Sequence, residues 1–359
     1  MEKLKLKFDW KKLRRSLSAV DLGVDLGTSN VVIYAENKGL VLRAPSVVAL
    51  DKNTERIIQT GIGARSMLGR TPGNVVAMHP LKDGVISDHE MTVEMLRDMF
   101  AKAVQGNVLT PKPRMIISVP SGITEVEERN VINAAIDAGA RRVYLIEEPL
   151  AAALGAGLNL GGSRGHLVVD IGGGTTDIAV LTMNDVAAST SLKVAGNHFD
   201  DLIVRYVRNV YGVAIGLPTA ENVKIRLARA VPGTETQSMT VKGRDVKTGM
   251  PQQVTISSDE ITEVLAPALQ KIVDEILLLL ERTSPELVGD IAEQGIVLTG
   301  GSAEMWGLDQ FIANGTHIPC TVADDPAACT AMGCGKSLSW IKTMSEGPIN
   351  IARKRALKS

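Results

Sequence analysis

Aromatic side chains are scarce in this 359-residue sequence, at 3% of the residues. Their scarcity removes the stacking platforms on which proteins that bind single-stranded nucleic acid depend. An excess of charge of one sign is also missing, because 39 Lys and Arg residues oppose 40 Asp and Glu residues and leave a net charge of −1. Without an overall basic field, we expect no nucleic-acid partner.

Long apolar runs and paired cysteines are missing as well. The longest uninterrupted apolar stretches, such as residues 276–280, are far shorter than the roughly 20 residues that a membrane-spanning helix needs. Cys320, Cys329 and Cys334 have no CxxC spacing, which supports neither a zinc site nor a disulfide framework and favours buried, reduced thiols. The basic N-terminus lacks the apolar stretch of a secretory signal, so we expect a cytoplasmic protein.

What is present is enough apolar surface for a globular fold, since 45% of the residues are hydrophobic. The length exceeds one comfortable hydrophobic core, and we therefore expect two lobes. Short β-rich runs alternate with helical segments, which indicates an α/β fold. Two candidate capping boxes, Thr124 with Glu127 and Ser257 with Glu260, mark the starts of helices. The polar stretch 231–251 is typical of an exposed hairpin in a small subdomain.

Two glycine-rich turns share one pattern, in which an apolar residue, Asp, an apolar residue and Gly are followed by glycine or hydroxyl residues. They occupy residues 24–29 and 169–176, and each is expected to join the strands of a hairpin. Glycine lets backbone N–H groups approach an anion, so each turn is a candidate phosphate clamp. Asp25 and Asp170 would repel a phosphate unless a cation lies between them, and magnesium held through water meets that need. The pair of turns predicts a nucleoside triphosphate and Mg²⁺ between two lobes.

A third glycine turn, at residues 298–303, follows the β-run 296–298. The missing side chains would leave room for a flat base or a ribose, although a plain strand-to-helix turn has the same pattern. Residues 335–337 resemble the end of a Walker A loop, but Thr330 stands where that motif requires its first glycine.

Five motifs occur in this order along the chain: Asp-Leu-Gly-Thr-Ser-Asn (25–30), Val-Pro-Ser-Gly-Ile-Thr (119–124), Glu-Glu-Pro-Leu-Ala-Ala-Ala (147–153), Asp-Ile-Gly-Gly-Gly-Thr-Thr-Asp (170–177) and Leu-Thr-Gly-Gly (298–301). Their order resembles that of the actin and heat-shock-chaperone ATPase superfamily and, within it, the MreB family of bacterial actin-like cell-shape proteins. The resemblance covers about residues 20–340.

The resemblance implies an actin-like ATPase fold of the α/β class, with two lobes of duplicated domains, four subdomains and a nucleotide cleft between the lobes. The first lobe would comprise residues 20–161 and 330–345, with a small subdomain at about 50–82. The second lobe would comprise residues 162–329, with a small subdomain at about 198–261. Residues 1–19 and 346–359 would form an N-terminal and a C-terminal tail.

The resemblance also implies roles for single residues. Asp25 and Asp170 would hold Mg²⁺ through water, and Glu147 and Thr176 would be catalytic, with Glu147 orienting the attacking water. Glu148 is the adjacent alternative, and a carboxylate favoured by the helix dipole is the other interpretation of Glu147. The residues that would bind ATP are Gly27, Thr28, Ser29, Asn30, Gly172, Gly173, Gly174, Thr175, Gly196, Lys224, Gly300, Gly301 and Ser302.

Family membership would imply a slow ATPase that forms filaments at the inner face of the cell membrane and organises lateral peptidoglycan synthesis, which determines rod shape. Its partners would be other copies of the chain, the anionic inner-membrane surface and membrane proteins of the cell-wall elongation machinery. A filament that segregates plasmids or DNA is the alternative function. A small-molecule kinase of the same fold is a weaker one, because no insertion between Asp25 and Gly122 supplies a substrate pocket.

Two segments predict membrane contact. The basic N-terminal tail places Leu6, Trp10 and Leu13 on one helical face, as in helices that lie in a membrane interface. A solvated terminus is the other interpretation of the tail. Val108 and Leu109 lie where the family resemblance implies a hydrophobic membrane-touching loop, and a buried loop anchor is their alternative.

The sequence departs from the family pattern at the third glycine turn. A run such as Gly-Gly-Gly-Ala-Leu-Leu is expected there, whereas this chain has Gly-Ser-Ala-Glu-Met-Trp at residues 301–306. Arg226 also stands where an acidic residue is common. Both departures concern the nucleoside end of the expected site.

Overall fold

The computed structural model describes residues 20–104 and 111–341. Its earlier elements are β1 (Leu22–Leu26), β2 (Asn30–Ala35), β3 (Gly39–Pro45), β4 (Val48–Asp51), β5 (Arg56–Thr60), α1 (Ile62–Met67), β6 (Val75–Met78), β7 (Leu81–Lys82), β8 (Val85–Ile86), α2 (His89–Val104), β9 (Arg114–Val119), α3 (Glu125–Asp137), β10 (Arg142–Glu147) and α4 (Glu148–Gly155). Its later elements are β11 (His166–Ile171), β12 (Thr176–Thr182), β13 (Asp185–Leu192), α5 (Gly196–Tyr211), β14 (Val213–Ala214), α6 (Leu217–Leu227), β15 (Ser238–Asp245), β16 (Pro251–Ser257), α7 (Ser258–Glu281), α8 (Pro285–Gln294), β17 (Ile296–Thr299), α9 (Leu308–Thr316), β18 (Cys320–Val322) and α10 (Cys329–Ile341).

Two five-stranded sheets share one topology. The strand order is β10-β9-β1-β2-β3 in the first sheet and β18-β17-β11-β12-β13 in the second. In each, the central strand pairs antiparallel with the next strand along the chain and parallel with a later one, so that β1 pairs with β2 and β9, and β11 with β12 and β17. The repeated order agrees with the duplicated α/β domains expected from the sequence. It also places the first two glycine turns at equivalent positions, each between the antiparallel strands of its sheet.

Helices α4 and α10 lie between the two sheets. One buried cluster joins side chains of both sheets to these helices, among them Ile116, Leu150, Val168 and Cys334. The two helices approach closely because α10 contains Gly333, where a Cβ atom would overlap the carbonyl oxygen of a residue of α4. Each lobe also has its own core on the other face of its sheet, built around α2 and α3 in the first lobe and around α5 and α7 in the second.

Both capping boxes predicted from the sequence are confirmed. At the start of α3, the backbone N–H of Thr124 donates to the Glu127 carboxylate over 2.8 Å, and the Thr124 side chain accepts from the Glu127 backbone. At the start of α7, Ser257 and Glu260 make the same reciprocal pair. Each box satisfies N–H groups that a helix N-terminus leaves without partners.

Two three-stranded sheets lie apart from the large ones, β5-β4-β6 beside α1 and β14-β15-β16 beside α6. They fall within the sequence ranges expected for small subdomains, although the exact domain boundaries stay a prediction. The predicted hairpin begins later than expected, with strands at 238–245 and 251–257. Residues 228–237 instead connect α6 to β15 and border the cleft described below.

Within the described residues, no helix is long and apolar enough to cross a membrane. The residues predicted to touch a membrane, Leu6, Trp10, Leu13, Val108 and Leu109, lie outside the described residues. Their roles stay predictions.

Candidate functional site

The two glycine turns face each other across a cavity of about 780 Å³. The turns approach so closely that a Cβ atom on Gly173 would collide with the Ser29 side chain, and one on Gly174 would collide with the Thr28 hydroxyl. A larger residue at either glycine would therefore displace a side chain of the first turn. The structure brings together the two segments that the sequence pattern paired.

All of the residues predicted to bind the nucleotide line this cavity, and so do Asp25 and Asp170. The two residues predicted to be catalytic, Glu147 and Thr176, do not line it. The lining residues outside this predicted set are Val32, Arg43, Arg65, Gly84, Glu148, Asn197, Glu221, Ile225, Arg226, Ala228, Arg229, Gly233, Thr234, Glu235, Gln237, Glu304, Met305, Trp306, Pro326, Ala327 and Thr330.

Hydrogen bonds hold the glycine turns in place. The Thr28 hydroxyl accepts from the backbone N–H of Gly84 over 2.9 Å, and the Ser29 hydroxyl donates to Asn197 Oδ1 over 3.0 Å. The Ser302 hydroxyl donates to the Gly172 carbonyl oxygen over 2.8 Å, which ties the third glycine turn to the second. The backbone N–H of Asn197 in turn donates to the Gly173 carbonyl oxygen over 2.8 Å, so hydrogen bonds connect all three turns.

Four acidic side chains lie close together, and three of them, Asp25, Asp170 and Glu148, line the cavity. Burial raises the pKa of Asp25 from 3.8 to about 7, although the Ser118 hydroxyl and Arg43 oppose the rise. Burial, with the Asp25 charge added, raises the pKa of Asp170 to about 7 as well, against a hydrogen bond from Thr330. The other two acids are Glu148 and Asp177.

Burial is also the main reason why the pKa of Glu148 lies well above its usual value, and the neighbouring acids Asp177, Asp25 and Asp170 raise it further. Burial raises the pKa of Asp177 to about 6. The shared cause is negative charge placed in a low-dielectric pocket without enough positive charge nearby. A divalent cation would relieve this repulsion, and the acidic cluster fits a hydrated Mg²⁺ for that reason. Among the described residues, no group of three or more His, Cys, Asp or Glu side chains is arranged to hold a metal ion directly.

Glu147 and Glu148 are adjacent in the chain but face different surroundings. Glu147 ends β10, and its Oε2 accepts a hydrogen bond from the buried Ser121 hydroxyl over 3.1 Å. Glu148 begins α4, lines the cavity and lies among the acids just described. Consecutive side chains at the end of a strand point in opposite directions, so only one of the pair can face the cavity.

The same alternation separates Thr175 from Thr176. Thr175 belongs to the turn and lines the cavity. Thr176 is the first residue of β12, is fully buried, and donates its hydroxyl hydrogen to the Val194 carbonyl oxygen over 2.7 Å. The structure therefore gives Thr176 a bond that anchors the strand beside the second turn.

A lysine that lines the cavity is paired with an aspartate behind the wall. Lys224, on α6, donates to the Gly196 carbonyl oxygen over 2.8 Å and to Asp200 over 2.9 Å. Burial raises the pKa of Asp200 to about 6, although the Lys224 ammonium opposes the rise. Lys224 thereby holds the start of α5 against α6, with Gly196 at the cavity wall.

Two ion pairs connect parts of the chain that lie on opposite sides of the cavity. Arg65 on α1 pairs with Glu221 on α6 over 2.7 Å. Arg43 on β3 pairs with Asp325, in the segment after β18, over 2.8 Å. All four side chains are partly exposed. Arg65, Glu221 and Arg43 all line the cavity, so these pairs lie at its border and join its walls.

Two equivalent five-stranded sheets, a pair of helices between them and facing glycine turns above an acidic floor define the actin-like ATPase fold. Comparison with known proteins identifies the branch of that class. A family model described as "MreB/Mbl protein" matches residues 19–346, and the chain belongs to the MreB/Mbl family.

Curated relatives and a solved structure agree with this assignment. The chain is 47% identical over 321 residues to the cell shape-determining protein Mbl of Bacillus subtilis, covering 89% of this chain and 96% of the relative. It is 44% identical over 331 residues to the cell shape-determining protein MreB of Escherichia coli, covering 91% and 95%. The crystal structure of MreB5 of Spiroplasma citri bound to AMPPNP superimposes with a TM-score of 0.86 at 40% identity, covering 90% of this chain and 97% of that one.

Proposed function

We propose that this protein is an ATP-dependent, actin-like filament protein that determines cell shape. The observation that carries the proposal is the pair of equivalent glycine turns facing each other above the acidic cluster of Asp25, Asp170, Glu148 and Asp177. The names of the Mbl and MreB relatives support the cell-shape role. Structures of MreB5 bound to AMPPNP and to ADP support a nucleotide in this cleft.

The phosphates would bind between the two turns. Backbone N–H groups at glycines can point at an anion without obstruction, and the Thr28 hydroxyl, which accepts from Gly84, can donate its own hydrogen to a phosphate. Asp25 and Asp170 would hold Mg²⁺ through its water shell at the floor of the cleft. When bound, the cation would supply positive charge beside the phosphate oxygens.

Glu148 is the residue that we assign to orienting the attacking water. Its carboxylate lines the cavity among the acids of the floor, whereas Glu147 is bonded to Ser121 away from the cavity. A carboxylate can accept a hydrogen bond from water, and burial, which raises the pKa of Glu148, makes that carboxylate a stronger base. Glu148 therefore replaces Glu147 in the role that the resemblance implied.

Single-turnover ATP hydrolysis with Mg²⁺ tests this assignment. Glu148→Gln keeps the size of the side chain and removes its basicity, and we expect the rate to fall about 100-fold or more while ATP still binds. Glu147→Gln is the matched control at the adjacent position and should slow hydrolysis much less. If Glu147→Gln slowed hydrolysis more than Glu148→Gln, Glu147 and not Glu148 would orient the attacking water.

We further propose that the filaments lie at the inner face of the membrane, with the N-terminal tail and the segment around Val108 and Leu109 as contacts. The tail's basic residues would be drawn to anionic lipid, and its Trp and Leu side chains would enter the interface. Membrane proteins of the wall-elongation machinery would then be the partners through which filaments organise peptidoglycan synthesis. A filament that segregates DNA would have the same nucleotide chemistry without lipid affinity.

Co-sedimentation with anionic vesicles, combined with electron microscopy, distinguishes these functions. The intact chain and a chain lacking residues 1–17 would be compared with and without Mg²⁺ and ATP. The proposal predicts filaments on vesicles that weaken on truncation. Filaments indifferent to lipid would favour the segregation function, and monomers under every condition would contradict filament formation.

A further inference from the structure

Two polar side chains meet where the first glycine turn faces the second. The hydroxyl of Ser29, in the first turn, donates to Oδ1 of Asn197, the second residue of α5, over 3.0 Å. Both residues line the cavity. They lie 168 positions apart in the chain, so the bond joins two segments that only the fold brings together.

The backbone holds both partners in place. The backbone N–H of Asn197 donates to the Gly173 carbonyl oxygen over 2.8 Å, which attaches the start of α5 to the second turn. The backbone N–H of Ser46 donates to the Ser29 carbonyl oxygen over 2.9 Å, which attaches the first turn to the residue after β3. The Ser29 side chain lies directly against Gly173, where a Cβ atom would collide with its hydroxyl. The Ser29 hydroxyl therefore lies between the two turns, where the phosphates are proposed to bind.

The two hydroxyls of the first turn differ in where their hydrogens go. The Thr28 hydroxyl accepts from the backbone N–H of Gly84 over 2.9 Å, so its own hydrogen can go to a ligand. The Ser29 hydroxyl has a single hydrogen, and it donates that hydrogen to Asn197. Ser29 can donate to a phosphate only after its bond to Asn197 has broken.

We propose that Asn197 competes with the phosphates for the Ser29 hydroxyl and thereby lowers the affinity of the cleft for the nucleotide. The inference rests on the proposed nucleotide binding. A phosphate oxygen is charged and accepts a hydrogen bond more strongly than the neutral amide oxygen of Asn197, so the phosphate displaces Asn197 as the acceptor. The broken bond reduces the net affinity, and a neutral hydrogen bond at an exposed side chain changes an affinity about 2- to 5-fold.

Calorimetry of the full chain in the presence of Mg²⁺ tests this competition with two probes, ATP and inorganic tripolyphosphate. Asn197→Ala frees the Ser29 hydroxyl and should tighten the binding of both probes about 2- to 5-fold. Ser29→Ala removes the donor itself and should weaken the binding of both at least about threefold. Asn209→Ala, an exposed position on α5 outside the cavity lining, is the matched control and should change neither affinity.

Two further variants separate the competition from a change in space or in fold. Asn197→Leu keeps a side chain of similar size without an acceptor, so it should tighten binding as Asn197→Ala does. Combining Ser29→Ala with Asn197→Ala should give the affinity of Ser29→Ala alone, because no hydroxyl is left to release. If Asn197 only supported the fold of the site, its replacement would weaken binding.

The outcomes distinguish this inference from the proposed function. If the wild type binds ATP and neither Asn197→Ala nor Asn197→Leu binds it more tightly, this inference alone is overturned. Tighter binding by Asn197→Ala but not by Asn197→Leu would attribute the effect to space and would also overturn it. Failure of the wild type to bind either ATP or tripolyphosphate would overturn the proposed nucleotide site as well.

Discussion

Replacing Glu260 by Gln is expected to weaken the contact between α5 and α7. The Glu260 carboxylate accepts hydrogen bonds from Ser257 through both its backbone N–H and its hydroxyl, over 2.7 and 2.6 Å. It also accepts from the hydroxyls of Tyr206 and Tyr211 on α5. One carboxylate therefore caps α7 and joins it to the helix whose first residue, Gly196, lines the cleft.

The size of the effect follows from the pKa of Glu260. Partial burial would raise this pKa, but the hydrogen bonds from Ser257, Tyr211 and Tyr206 outweigh it and lower the pKa from 4.5 to about 2. At about 1.4 kcal/mol for each tenfold change in proton affinity, the ionised form stabilises the fold by about 3 kcal/mol. Because the side chain is only partly buried, water screens part of this, and we expect Glu260→Gln to cost about 2 kcal/mol at pH 7.

The sign of the pH dependence is fixed, because the pKa is lower in the folded state than in the unfolded state. The stabilisation is complete above pH 4.5 and is lost as the pH falls from 4.5 towards 2. Urea unfolding followed by circular dichroism at pH 7, 5, 4 and 3.5 should show the wild type and the variant converging in the most acidic samples. Glu263→Gln, an exposed position on the same helix, is the control and should change stability little. A difference that is absent at pH 7, or that stays constant down to pH 3.5, would refute the reasoning.

Three further predictions address the cleft and the helices beneath it. Asp170→Asn should lower the affinity for Mg²⁺ and ATP at least about tenfold in calorimetry, and it should raise the thermal stability of the nucleotide-free protein, because it removes one of several buried like charges. Arg65→Ala should release a fluorescent nucleotide up to about fivefold faster in stopped-flow displacement, because it breaks a partly exposed ion pair that joins two walls of the cleft. Gly333→Ala should reduce the free energy of unfolding by at least about 1–3 kcal/mol, measured by urea unfolding, because the new methyl group would overlap the backbone of α4.

Two of these predictions have a control variant, and each of the three has an outcome that would contradict it. Asp201→Asn, an exposed carboxylate on α5, should leave Mg²⁺ dependence intact, and an Asp170→Asn protein that binds normally would remove Asp170 from the metal site. An unchanged release rate in Arg65→Ala would show that its ion pair does not restrain the cleft. Gly289→Ala, where α8 has open space, should stabilise slightly, and a Gly333→Ala protein of equal stability would contradict the close packing of α4 and α10.

Features with a repeated or local sequence pattern could be predicted from the sequence, and these include the glycine turns of the site. The repeated Asp-Gly turns at 24–29 and 169–176 could be recognised because the same pattern of Asp, glycine and hydroxyl residues occurs twice. The capping boxes at Thr124 and Ser257 could be recognised because both partners lie three residues apart. The α/β fold followed from the alternation of strand and helix patterns.

Two kinds of feature could not be predicted from the sequence. One is which of two adjacent residues faces the cavity, and the other is contact between residues far apart in the chain. Glu147 and Glu148 differ only in which one ends the strand, and that boundary decides which carboxylate lines the cavity. Thr175 and Thr176 differ for the same reason. Arg65 and Glu221 are far apart in the chain, and no local sequence pattern predicts that they form an ion pair.

The most direct test of the account is calorimetric titration of the full-length chain with ATP at pH 7.5, with Mg²⁺ and with a chelator in its place. The account predicts one ATP bound per chain, with an affinity that falls at least about tenfold when the cation is removed, because the acids of the floor would then face the phosphates without a cation between them. Absence of binding, or equal affinity with and without Mg²⁺, would contradict the claim that the paired turns and acids form a magnesium-dependent nucleotide site.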